Sequence, residues 1–130
     1  MNIKNLDPLS AHQSLQKDSD CVFIDVRTPM EYSQGHPKGA VNVPWALPDP
    51  ASGMLAPSPD FVNTVKSLCS IEKALYVSCQ SGGRSMNACR DLANAGFLNL
   101  VNVDGGFGGR RDPTGRVVAG WRDAGLPVER

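Results

Sequence analysis

Two short runs constrain this chain most: Cys21-Val22-Phe23-Ile24-Asp25-Val26 and Ala74-Leu75-Tyr76-Val77-Ser78-Cys79. Both are nearly continuous in apolar, β-favouring residues. Strands of that kind sit in the middle of a sheet, because both of their faces need cover. Residues 40–43 (Ala-Val-Asn-Val) and 100–103 (Leu-Val-Asn-Val) add two strand candidates, and residues 3–5 add a short edge strand. Helix signals fall between them. Asp7-Pro8 is an N-cap with proline at the first helical position, ahead of residues 9–16. Ser58-Pro59-Asp60 repeats that signal before Phe61, Val62, Val65 and Leu68. Residues 84–95 form a third helical pattern, stopped by Gly96, and residues 121–124 a short last one. Strands alternating with helices predict an α/β domain with a mainly parallel sheet. Residues 44–59, rich in proline and small residues, read as a surface loop, and Asp112-Pro113-Thr114-Gly115 as the turn of a small hairpin.

The 130 residues suit one domain spanning 1–130. A hydrophobic fraction of 41% and a charged fraction of 20% fit a soluble globule. Thirteen basic and thirteen acidic residues cancel, and aromatics make up 6%. A nucleic-acid or membrane-surface binder would normally be basic, so neither partner is expected. No apolar run approaches the ~18–20 residues that span a bilayer. The first ten residues lack a signal-peptide stretch, which predicts a cytoplasmic protein.

The four cysteines, Cys21, Cys69, Cys79 and Cys89, show no CxxC spacing. That argues against zinc knuckles and thioredoxin-like sites. A chain of this length needs no disulfide staple, so a reactive thiolate is the better question. The segment Val77-Ser78-Cys79-Gln80-Ser81-Gly82-Gly83-Arg84-Ser85 points to Cys79. A strand ends in cysteine, a short loop with two glycines follows, and a helix opens. Ligands of open α/β sheets bind at such carboxyl strand ends. Gly-Gly loops can turn backbone N–H groups inward as an anion nest, and a helix N-terminus adds partial positive charge. Such surroundings lower a thiol pKa from about 8.5 into roughly the 3.5–7.5 range. Arg84 supplies a positive charge or a fork for an oxyanion, and Ser85 caps the helix or donates to the sulfur.

The sequence here resembles the rhodanese family of single-domain sulfurtransferases. One block is Ile24-Asp25-Val26-Arg27, Glu31-Tyr32, Gly35-His36 and Gly39-Ala40-Val41-Asn42-Val43-Pro44. The other runs from Cys79 through Arg84-Ser85, Ala88, Leu92, Gly96-Phe97, Val103 and Gly105-Gly106, with Trp121 and residues 124–129 as a matching tail. The resemblance implies a five-stranded parallel sheet flanked by helices on both faces. It implies that Cys79 takes up a sulfane sulfur as a persulfide and passes it to a thiol or cyanide, with ping-pong kinetics. Cys79 and Arg84 would be the catalytic pair. Gln80, Ser81, Gly82, Gly83 and Ser85 would bind the substrate. The implied partners are a small sulfane-sulfur donor and a thiophilic acceptor, with a protein persulfide as a further option; no metal or organic cofactor is required.

Only four residues separate Cys79 from Arg84, where phosphatases of the related fold have five. Ser78 stands where those enzymes usually carry histidine. Both points favour sulfur transfer over a phosphatase or an arsenate reductase. A non-catalytic binding module is the other alternative, opposed by the presence of both Cys79 and Arg84. The chain departs from the family at Pro37, in the single charge of its loop, and in an insertion over residues 107–120. The insertion's Arg110, Arg111 and Arg116 border the cleft, meet an acidic partner, or form a solvated basic hairpin. Asp25, Arg27, Glu31 and His36 are expected to hold loops rather than react. His12 reads as a surface residue, Cys21 and Cys89 as packing, and Cys69 as exposed. Residues 1–65 carry a balance of −3, from four basic and seven acidic side chains. Residues 66–130 carry +3, from nine and six, which predicts attraction for anionic donors near the loop.

Overall fold

The structure, a computed structural model, describes residues Ile3–Arg130. Along the chain run β1 (Ile3–Leu6), α1 (Pro8–Lys17), β2 (Cys21–Asp25), α2 (Pro29–Ser33), β3 (His36–Pro37), β4 (Val41–Asn42), β5 (Ala46–Pro48) and β6 (Leu55–Pro57). There follow α3 (Phe61–Leu68), β7 (Ala74–Ser78), α4 (Gly83–Asn94), β8 (Asn99–Val103), β9 (Arg110–Arg111), β10 (Val117–Val118) and β11 (Val128–Glu129). The central sheet has five strands in the order β1-β8-β7-β2-β4, and every pairing in it is parallel. The two apolar runs are thus β2 and β7, paired at the centre with Ile24 opposite Val77 and Asp25 opposite Ser78.

Their alternation distributes the core. Ile24, Leu75, Val77 and Leu100 point to one face, where Phe61 and Val65 of α3 and Ala88, Cys89 and Leu92 of α4 cover them. Phe23, Tyr76 and Val101 point to the other face, covered by Ala11 of α1, Phe107 and Trp121. A strand that is apolar on both sides finds cover on both sides, as a parallel sheet requires.

Side-chain capping explains the starts of α1 and α2, whereas Asp60 before α3 makes no side-chain cap bond. The Asp7 side chain accepts from Ser10 N–H at 2.8 Å. Thr28 and Glu31 form a reciprocal capping box around the one-turn α2, a signal in Thr28-Pro29-Met30-Glu31 that the helical reading of the sequence omitted. α4 instead follows Gly82 at its N-cap, whose φ of 123° no side-chain-bearing residue adopts readily.

Several sequence expectations need correction. Residues 44–59 contain a two-stranded pair, β5 with β6, rather than loop alone. Residues 121–124 form turns and no helix: Ala124 N–H bonds to Gly120 O at 2.9 Å, but Gly125 N–H then turns to Arg122 O at 3.1 Å and Leu126 N–H to Trp121 O at 3.3 Å, which closes the segment after one turn. His12 is partly buried, edge-on to Trp121 with ring centroids 5.3 Å apart. Cys21 and Cys69 are both half-buried, neither core nor exposed. The expected hairpin in the insertion is present as β9 paired with β10.

Candidate active site

Cys79 follows β7 directly and is buried, at 1% exposure. Two of the loop's carbonyls are turned away from the sulfur: Phe107 N–H donates to Cys79 O and Gly108 N–H to Gln80 O, both at 2.8 Å. Planar trans peptides then aim the Gln80 and Ser81 N–H groups in the opposite direction, into the loop. Gly82 N–H donates to Cys79 Sγ at 3.0 Å. The N–H groups of Gly83, Arg84 and Ser85 precede the first backbone bond of α4, from Met86 N–H to Gly82 O at 3.1 Å. At this strand end the Gly82 N–H faces the sulfur, and the free N–H groups of the α4 start lie next to it in the chain.

The approach of the Gly-rich turn fixes this loop. A Cβ placed on Gly106 would lie 2.3 Å from Cys79 O and 2.8 Å from Gln80 C, and Gly106 has φ +55°. Glycine is required there both for space and for conformation. Trp121, buried at 1% exposure, anchors that turn from behind, with its indole N–H donating to Pro127 O at 2.6 Å.

Ser85 sits inside the cradle. Its Oγ lies 3.3 Å from Cys79 Sγ, 3.1 Å from Gly82 O and 2.5 Å from Asn102 Oδ1. Asn102, on β8, is itself held by a bond from its Nδ2 to Asn5 Oδ1 of β1 at 2.9 Å. Cys79, Ser85 and Asn102 are buried, and the chain of contacts ends at the exposed Asn5. Asn5 and Asn102 escaped the sequence reading of the site. Their strands pair in register, Asn5 opposite Asn102, which the sequence pattern alone does not reveal.

The charges around the loop are matched. Arg84 donates to both Glu31 carboxylate oxygens, Nη1 at 2.7 Å and Nη2 at 2.9 Å. That guanidinium holds the Glu31 carboxyl down at about 2, against the opposing effect of its partial burial. Arg110 makes the same two-pronged contact with Asp104, at 2.7 and 2.9 Å, lowering the Asp104 pKa. Arg27 pairs with Asp25 at 2.7 Å in full burial, donates to Gly35 O at 2.7 Å and reaches Gln80 Oε1 at 3.3 Å. The expected charge excess of residues 66–130 therefore meets Glu31 from the other half of the chain once folded. Arg84 borders Cys79, but its fork is already occupied by Glu31.

Each expected site residue is accounted for. Cys79, Gln80, Ser81, Gly82, Gly83, Arg84 and Ser85 form one continuous loop and helix start. Ser81, Gly82 and Gly83 line a depression of about 400 Å³ with Asn102, Asp104 and Arg110. Gln80 lines another on the opposite side. His36 stacks on Tyr32 with centroids 3.6 Å apart and its Nδ1 lies 2.9 Å from Tyr32 O, a structural placement. Cys89 is fully buried in α4, and burial pushes its thiol up to about 12.

A parallel five-stranded sheet with a cysteine loop at its carboxyl edge defines the rhodanese fold, and comparisons agree. The family model of the rhodanese-like domain matches residues 9–109, so the chain belongs to the rhodanese-like family. It is 41% identical over 107 residues to thiosulfate sulfurtransferase 16, chloroplastic, of Arabidopsis thaliana, covering 82% of this chain and 78% of that protein. A protein of Allochromatium vinosum named sulfurtransferase is 26% identical, with 97% and 94% covered. The crystal structure of Rv0390 from M. tuberculosis superposes with a TM-score of 0.78 at 28% identity, over 97% of this chain and 96% of that one. Other Arabidopsis relatives are longer: the matched part spans 54% of one and 52% of another.

Proposed function

We propose that this protein is a sulfurtransferase that carries sulfane sulfur on Cys79. The observation that carries this reading is the Gly82 N–H directed at Cys79 Sγ from a loop of inward-turned amides. Cys79 as thiolate attacks the outer sulfur of a donor. The new S–S bond forms as the donor's own sulfur bond breaks, and the leaving group departs with that electron pair. The terminal sulfur of the resulting persulfide carries negative charge, for which the loop amides act as preorganised donors. A thiolate or cyanide then attacks that terminal sulfur and returns Cys79 to thiolate, which gives two half-reactions. The sulfurtransferase names of the relatives support the same activity.

The loop of four residues between Cys79 and Arg84 supports sulfur over phosphoryl transfer. Incubation with a sulfane donor should add the mass of one sulfur atom to Cys79, removable by cyanide. No such gain on wild type, or an equal gain on Cys79→Ser, overturns the reading. Turnover of an aryl phosphate would favour the phosphatase alternative instead.

A further inference from the structure

We propose that Asn5 is a positioning residue for sulfur loading: with Asn102 and Ser85 it forms a hydrogen-bond relay that reverses direction when Cys79 takes up sulfur. This rests on the sulfurtransferase reading and adds to it a residue on the exposed edge strand β1.

Counting hydrogens carries the argument. In the unloaded protein Cys79 S–H donates to Ser85 Oγ at 3.3 Å, and Ser85 O–H donates to Asn102 Oδ1 at 2.5 Å. Asn102 Nδ2 then donates to Asn5 Oδ1 at 2.9 Å. Every donor in the line points away from the sulfur. A serine hydroxyl has one hydrogen, so Ser85 cannot donate to Asn102 and to the sulfur together. Its third neighbour, Gly82 O at 3.1 Å, already accepts from Met86 N–H.

Loading removes one hydrogen from this line. With thiosulfate the step balances as Cys79–SH plus S–SO₃²⁻ giving Cys79–S–S⁻ plus HSO₃⁻. The bond from Cys79 Sγ to the sulfane sulfur forms. The S–S bond of thiosulfate breaks with its electron pair on sulfite, and the Cys79 proton ends there too. Cys79 Sγ can then only accept. If Ser85 keeps donating to Asn102, its lone pair faces the sulfur. If its hydroxyl turns to the sulfur, the buried Asn102 Oδ1 loses its donor. Either arrangement forfeits a buried hydrogen bond.

Turning both amides restores it. An asparagine side chain presents an acceptor on one side and donors on the other, in nearly the same shape. After half a turn, Asn102 donates from Nδ2 to Ser85 Oγ, and Ser85 O–H donates to Cys79 Sγ. The Asn102 oxygen then needs a donor at the outer end of the line. Asn5 supplies one by turning its own amide, which is free to rotate because the residue is exposed. Both amides border the depression beside Gly82 and Gly83. Two amides in series let the relay run either way, whereas a side chain that only accepts holds it in one direction.

The test measures the loaded fraction of Cys79 by mass over a range of thiosulfate-to-sulfite ratios, in wild type, Asn5→Asp and Asn5→Ala. Asn5 is exposed, so neither variant disturbs the core. The carboxylate of Asn5→Asp only accepts, and its loading equilibrium should fall about tenfold, the size of one hydrogen bond lost in the loaded state. In Asn5→Ala water takes the place of the amide and serves in either direction, so loading should stay within about twofold of wild type. A merely structural tie would give the opposite order. The Asn5→Asp deficit should persist in about 1 M KCl, where a Debye length of about 3 Å screens the added charge. The side-chain amide NMR signal of Asn5 should shift between unloaded and loaded wild type. Equal loading of Asn5→Asp and wild type, an Asn5→Ala deficit as large as that of Asn5→Asp, a deficit abolished by salt, or an unmoved Asn5 signal overturns the relay alone. No loading of wild-type Cys79 overturns the sulfurtransferase reading itself, and the relay with it.

Discussion

Arg84 grips both carboxylate oxygens of Glu31, at 2.7 and 2.9 Å, across 53 residues of sequence. The same carboxylate accepts from Thr28 N–H at 3.1 Å and Thr28 Oγ at 3.0 Å, so the pair ties the start of α2 to the start of α4 beside the sulfur. The Arg84 guanidinium, expected to act on the substrate, is thereby also a tie between two helix starts.

Acid should release this tie. The Glu31 carboxyl is held at about 2 in the folded protein, below its ordinary ~4.3. A carboxylate whose pKa falls on folding stabilises the fold above its unfolded pKa and loses that contribution as pH drops through the folded value. The Glu31 contribution is thus complete above roughly pH 5 and fades between about pH 4 and 2. Solvent screening of this partly exposed pair keeps it near about 1 kcal/mol. Urea midpoints measured at pH 7 and pH 2.5 should differ less in Glu31→Gln, which keeps the helix cap. An identical acid loss in variant and wild type would refute the link.

Freeing Arg84 should also change donor use. In Glu31→Gln the guanidinium loses its carboxylate and faces the loop with an unmatched charge. Thiosulfate should then load Cys79 with a KM lowered several-fold, because one charge-assisted partner becomes available. An unchanged thiosulfate KM would mean that Arg84 does not reach the donor.

Ser85 and Asn102 should behave as one unit. Ser85→Ala removes the hydroxyl beside Cys79 Sγ and leaves the buried Asn102 Oδ1 without its donor. That costs about 1–3 kcal/mol of stability and slows sulfur loading. Asn102→Ala removes the orphaned oxygen as well, so the double variant should lose less than the sum of the singles. Strict additivity in urea unfolding would show that the two side chains are not coupled.

Gly106 should tolerate no side chain. With φ +55° and Cys79 O only 2.3 Å from a Cβ, Gly106→Ala must push the cysteine loop. Strain and overlap together predict about 2–4 kcal/mol of destabilisation and loss of loading. Gly115, at φ +85° with nothing within 4 Å of a Cβ, supplies the contrast. Gly115→Ala should cost about 1 kcal/mol and leave loading intact. Similar losses in the two variants would show that the approach to Cys79 O is not the cause.

The thiols should separate by surroundings. Cys89 is fully buried with its pKa pushed up to about 12, chiefly by burial. At pH 8 a haloacetamide should leave Cys89 unmodified in the folded protein and label all four cysteines in urea. Native labelling of Cys89 would contradict its packing.

The two apolar runs, with helical patterns between the strands, pointed to a parallel sheet covered on both faces, because strands apolar on both sides need cover on both and intervening helices supply it. Cys79, the glycines after it and the following helical pattern placed the candidate nucleophile at a carboxyl strand end for the same local reason. Those features depend on neighbours in sequence. What Arg84 does with its charge does not. Its partner Glu31 arrives on α2 only after β2 and β7 pair, so the +3 balance of one half of the chain could not foretell a neutralised loop. Asn5 and Asn102 meet because β1 pairs with β8 in one register, and Phe107 lies beside Arg122 because Trp121 N–H bonds back to Gly106. Local pattern placed the central strands, the longer helices and the sulfur, but missed α2 and the β5–β6 pair. Long-range pairing decided which charges around the sulfur are already matched, since an ion pair depends on distance in space and local pattern carries no such distance.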